Sequence, residues 1–126
     1  AAMKKSFALI LFALAIVSPA LGASLSDVRN GIELFMIKTR GWPAVHCRAG
    51  EYQSRNFVYC HPTGNDSFGG LFMVENNPTP AVWPINGKAK QYLAKGRPTL
   101  VNTAPIEVRQ WTGDPIDIPA AIKAVR

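Results

Sequence analysis

The chain has 126 residues, with 14 Lys and Arg against 8 Asp and Glu, a formal net charge of +6 and two cysteines. That length leaves no room for two independent cores. The charges are scattered singly, without the run of like sign that marks a dedicated nucleic-acid binder, so they read as a mildly basic surface.

The N-terminus has three zones. Lys4 and Lys5 give a short positive region, residues 7–17 are apolar without a charge, and Ser18 and Pro19 break the run before a small-residue exit at Ala20, Leu21, Gly22 and Ala23. This order is that of a secretory signal peptide. The apolar core is shorter than the ~20 residues a lasting membrane anchor needs. Residues 1–23 are therefore expected to be removed after Gly22 or Ala23, with no stable membrane anchor left behind. The working domain is then 24–126, located in the periplasm or outside the cell. Export further disfavours nucleic acid as a partner.

Ser24 can cap a helix, with Asp27 in the first turn where the helix dipole favours a carboxylate. Leu25, Val28, Ile32, Phe35 and Met36 recur at helical spacing, Gly31 allows a close approach on that face, and Gly41 with Pro43 stops the run. The pattern predicts a helix over 25–39. Residues 44–49 and 56–61 have strand character, with the polar stretch 50–55 as a hairpin connection. The segment 62–67 is a turn. Residues 70–75 are continuously apolar until Glu75 and read as a buried, central strand. Residues 81–85 form a short strand that Pro84 confines to an edge or an end.

Asn86-Gly87 is a strong hairpin signal, but the residues that follow favour a short helix over 88–95. After a loop or weak strand over 96–104, alternation over 106–111 (Ile106, Glu107, Val108, Arg109) fits a half-buried strand. Asp117 and Pro119 mark a closing helix over 119–125. The fold class is α+β: one N-terminal amphipathic helix on an antiparallel sheet of three to five strands, with short helices late in the chain.

Cys47 and Cys60 form an even pair in a chain read as exported, which favours a disulfide. If they face each other in the hairpin, Arg48 faces Tyr59 and His46 faces His61. Alternation then puts both cysteines on one face and both histidines on the other. That separation argues against a Cys2His2 zinc site. His46 and His61 remain weak candidates for a two-ligand metal site, and no cofactor is implied.

No catalytic motif is assembled. His46, His61, Glu51, Asp66, Glu75, Asp114 and Asp117 are the acid–base candidates, and most fall in turns or at strand ends. Trp42, Trp83 and Trp111, with Tyr59 and Arg48, are candidates for a binding surface, since aromatic and Arg side chains concentrate binding energy at interfaces. The leading expectation is a non-enzymatic exported binding or accessory protein that contacts another protein. The alternatives are a small cell-wall-directed hydrolase or inhibitor-like factor, and a periplasmic metal-handling protein using His46 and His61.

Overall fold

A computed structural model describes residues 24–65, 67, 69–76 and 79–125. The expected signal peptide lies outside the described residues, and so does Asp66. The elements in chain order are α1 (Leu25–Arg40), β1 (Val45–Tyr52), β2 (Arg55–Pro62), β3 (Gly70–Glu75), β4 (Ala81–Pro84), α2 (Gly87–Leu93), β5 (Glu107–Val108) and α3 (Ile118–Ala124). The class is α+β, with one five-stranded sheet in the order β1-β2-β3-β4-β5. No described helix is long and apolar enough to cross a membrane.

The first helix starts on a capping box. The Ser24 hydroxyl accepts from the Asp27 amide at 3.1 Å, and Asp27 Oδ2 accepts from the Ser24 amide at 3.0 Å, which satisfies two amides a helix start leaves open. It ends at Gly41, whose φ of 67° is left-handed. Val28, Ile32, Phe35 and Met36 form its buried stripe.

The hairpin register is the one the cysteines imply: Cys47 opposite Cys60, Arg48 opposite Tyr59 and His46 opposite His61. The connection is tighter than the sequence suggests. Strand pairing runs on to Tyr52 and Arg55, so only Gln53 and Ser54 are left to turn, with φ of 51° and 65°. Two positive φ values in a two-residue loop match the right-handed twist of the flanking strands. Gln-Ser simply lacks the Asn-Gly signature of such a turn.

β3 is the middle strand, and every residue before Glu75 is buried. Pro84 stands at the end of β4, where no ladder donor is needed. Asn86 decides between hairpin and helix. Its Oδ1 accepts from the Ala89 amide at 2.9 Å, capping α2, and from the Leu71 amide at 3.0 Å, while Nδ2 donates to the Gly69 carbonyl at 3.0 Å.

The sheet departs from the antiparallel expectation at one place. β1 to β4 pair antiparallel, but β5 runs parallel to β4. The chain passes through α2 between those two strands, and a helical crossover returns it in the same direction. The expected strand over 106–111 is also reduced to two residues.

Both faces of the sheet are covered. On one, α1 and α2 pack over Cys47, Cys60, Val58, Phe72 and Val82. On the other, α3 and the segment that leads into it pack over Phe57, Leu71 and Met73. Gly50 permits this second layer, because a Cβ there would lie 3.0 Å from the Ala124 carbonyl oxygen and from Val125 Cα.

Candidate functional site

Strand alternation divides the candidate residues between the two faces. Cys47 and Cys60 point to the α1 side and are joined by a disulfide, with a Cα–Cα separation of 4.1 Å. That spacing belongs to a non-hydrogen-bonded antiparallel pair. The backbone N–H and C=O of Cys47 therefore point away from β2, towards the free edge of the sheet.

On the other face, His46 and Arg48 of β1 stand beside His61 and Tyr59 of β2 as a tile of four neighbours. Tyr59 and His61 are each about 5% exposed, whereas His46 is exposed. The His46 and His61 ring centroids are 5.4 Å apart, and those of Tyr59 and His61 are 5.6 Å apart. The Arg48 guanidinium carbon lies 5.5 Å from the Tyr59 ring centroid.

The hydrogen bonds assign the state of His61. Its Nδ1 is 2.7 Å from the Pro62 carbonyl oxygen, which can only accept, so Nδ1 carries the proton. Nε2 then accepts from Arg48 Nη1 at 3.3 Å. With both ring nitrogens engaged and a cation alongside, His61 has no lone pair to offer a metal without rearranging. The described residues contain no group of three or more His, Cys, Asp or Glu able to hold a metal ion.

Arg48 is half-buried. Its Nη1 is used, but Nε and Nη2 are buried without a hydrogen-bond partner among the described residues. Those two nitrogens form one edge of the guanidinium fork. Arg29 turns the same edge onto the Cys47 carbonyl, with Nε at 3.2 Å and Nη2 at 2.8 Å.

The other acid–base candidates are dispersed. Glu51 and Glu75 are exposed on different strands. The Asp117 side chain caps α3 by accepting from the Ala120 amide at 3.1 Å. The Asp114 backbone carbonyl accepts from the Trp111 indole Nε1 at 2.8 Å. The two hydrogen bonds of His61 go to the Pro62 carbonyl and to Arg48, not to a carboxylate of the kind that general acid–base catalysis pairs with a histidine.

The three tryptophans do not form one patch. Trp42 packs on the α1 side, edge-on to Tyr92 with ring centroids 5.4 Å apart. Trp83 and Trp111 are half-buried on the opposite face. Each carries an arginine: Arg109 lies 5.4 Å from the Trp83 ring centroid, and Arg55 lies 4.9 Å from that of Trp111. Beside Trp111 runs a groove of about 390 Å³, lined by Pro84, Ile85, Lys90, Leu93, Arg109 and Trp111 among others.

Arg55, Arg109 and Lys90 are absent from the sequence-level candidates. No local pattern marks them, because the path of 109–118 over the sheet is what brings them to the tryptophans. Arg109 Nη2 also meets Glu107 Oε1 at 2.8 Å. The hydrogen bond from Arg109, helped by its charge, holds the Glu107 carboxyl below its ordinary pKa.

No protein-family model, no curated protein and no solved structure matches the chain.

Proposed function

We propose that this chain is a small exported, non-enzymatic binding protein that contacts another protein through the Trp83–Trp111 surface. The observation that carries the reading is the pair of half-buried indoles, each with a guanidinium over its ring, with Trp111 and Arg109 lining one groove. Trp and Arg are the side chains that most often concentrate binding energy at protein interfaces. Fixed indoles lose little conformational entropy on docking.

Arg55, Arg109 and Lys90 make the surface basic, with Glu107 as the acidic partner of Arg109. The partner is accordingly a protein that presents an acidic segment. Export is supported by the zoned N-terminus and by the disulfide, which persists in oxidising compartments.

The test is affinity capture from the native extracytoplasmic fraction by the mature protein, side by side with the W83A/W111A variant. One protein species retained by the wild type and lost by the variant is the expected result. Equal retention by both, or retention by neither, overturns the reading.

A further inference from the structure

We propose that the acidic segment of the partner enters the groove in extended form and lies in the fork where β4 and β5 part, with a backbone N–H on the carbonyl of Arg109 and a carboxylate on Lys90. This deepens the protein-contact reading and rests on it. The fork belongs to the parallel pair of the sheet. Glu107 donates to the Pro80 carbonyl and Arg109 to the Val82 carbonyl, each at 2.9 Å. The next bond of such a ladder would run from the N–H of residue 84 to the carbonyl of Arg109. Residue 84 is proline and has no N–H to give. Ile85 turns its amide the other way, onto the Leu71 carbonyl at 2.9 Å. No described backbone amide donates to the Arg109 carbonyl, so the ladder stops there and the fold leaves that oxygen to solvent.

The groove of about 390 Å³ opens at this point, lined by Pro84 from one strand and Arg109 from the other. Sites that hold a ligand run from about 300 to 1,000 Å³, so there is room for a short length of extended chain. The lining selects the occupant. Ile85, Leu93, Val108 and Trp111 are each half-buried and offer apolar surface. Lys90 and Arg109 line the groove, and no acidic residue does. Arg109 is already shared with Glu107 at 2.8 Å. Lys90 is exposed and has no ion pair among the described residues, which leaves its ammonium for a carboxylate. An open acceptor, an apolar trough and an unpaired cation call for an N–H donor, an apolar side chain and an acid. An extended peptide carries all three, because its N–H groups face sideways and its side chains alternate. A small apolar acid would leave the Arg109 carbonyl without a donor.

The probe is a blocked pentapeptide, acetyl-Val-Glu-Val-Glu-Val-amide, titrated into nitrogen-15-labelled mature protein at constant ionic strength. The readouts are the Trp111 indole N–H and the backbone amides of Leu93, Val108 and Gln110. Saturable shifts at these groups are expected. Two further peptides separate the two contacts: one with Lys in place of both Glu, and one N-methylated at every peptide bond. Each should bind at least about tenfold more weakly, the effect of losing one good hydrogen bond or ion pair. K90E should weaken the acidic peptide by a similar factor and strengthen the Lys peptide.

No saturable shift with the acidic peptide, or equal binding of its N-methylated form, overturns the docking in the fork. Equal binding of the Lys peptide overturns the acidic class. The wild-type titrations decide the matter even if K90E does not fold. K90E in the affinity capture tells the two readings apart. A protein held by the wild type, lost by W83A/W111A and held undiminished by K90E leaves the tryptophan surface standing and overturns the groove. If the wild type captures nothing, the protein-contact reading falls by its own test, and this inference falls with it.

Discussion

Arg29 of α1 reaches the edge of the sheet and donates through Nε and Nη2 to the carbonyl oxygen of Cys47, at 3.2 and 2.8 Å. Its remaining terminal nitrogen meets Asn30 Oδ1 at 2.7 Å and Glu33 Oε1 at 3.1 Å. Every nitrogen of the guanidinium is thus engaged, and one side chain ties the helix to the outward-pointing backbone of the edge strand. The tie falls at the residue that also carries the disulfide. β1 is a terminal strand of eight residues, and such an edge invites pairing with another chain unless something occupies it.

Replacing Arg29 with Ala should therefore destabilise the protein by about 1.5–3 kcal/mol, the range for hydrogen bonds that involve a charged group. The urea midpoint should fall at constant slope, since the folded state remains as compact. R29K should recover little, because an ammonium cannot reproduce the fork. A midpoint unchanged within error in R29A would show that the edge contact contributes nothing net.

The crosslink closes a short loop between residues that are already cross-strand neighbours. In the chain-entropy account, loss of such a link costs about 3 kcal/mol. Both sulfurs are buried within the α1-side core, Cys60 completely, so C47A/C60A should lose somewhat more than that. Denaturant unfolding of the double variant, compared with the oxidised wild type, measures the difference. Equal midpoints would contradict the assignment of the disulfide as a major stabilising element in so small a fold.

What the sequence made legible is what local chemistry fixes. The first helix was readable because a cap, an apolar face and a stopping glycine coincide over 24–41. The hairpin register followed from two cysteines that must meet. The Gln53-Ser54 turn was hidden, since neither residue advertises a positive φ. The direction of β5 was hidden too, because it depends on where α2 delivers the chain and not on alternation over 106–111. The candidate site was legible by face, with His46 and His61 opposite the cysteines, but not by contact. Nothing in the spacing of Arg48 shows that one edge of its fork is left dry. Nothing in the spacing of three tryptophans shows that Trp42 lies on the other side of the sheet from Trp83 and Trp111.

Tyr92 gives the fold an alkaline limit. Burial, the largest influence, raises its phenol above the ordinary pKa of 10.0; the Arg40 charge pulls the other way and Tyr59 adds to the rise. The folded state thus holds this proton more tightly than the unfolded state does. The stability this confers is complete below the unfolded value and is lost as pH rises through the higher folded value. The denaturant midpoint of the wild type should fall as pH is raised above about 10, and Y92F should show a shallower fall. The comparison is between slopes, so a uniform offset from the lost hydroxyl does not disturb it. Parallel slopes for the two proteins would remove Tyr92 as the source.

Gly31 and Gly87 should respond to the same substitution with opposite sign. Both lie within helices, and Ala is favoured over Gly in a helix interior by about 1 kcal/mol. At Gly87, in the first turn of α2, an added Cβ meets nothing within 4 Å. G87A should therefore stabilise, by about 0.4–1 kcal/mol, mainly by restricting the unfolded chain. At Gly31 the added Cβ would collide with the backbone carbonyl oxygen of Thr99 and sit 3.1 Å from Ile106 Cδ1. That carbonyl has little freedom to retreat, because its segment is pinned by the Leu100 amide on the Ala104 carbonyl at 2.7 Å and the Ile106 amide on the Pro98 carbonyl at 3.3 Å. Relief then requires α1 to shift away from the 98–106 loop, and overpacking of this kind costs about 1–3 kcal/mol. G31A should lower the thermal midpoint while G87A raises it. If both rise, the loop over 98–106 yields more readily than its hydrogen bonds imply, and the close approach at Gly31 does not fix the seat of α1.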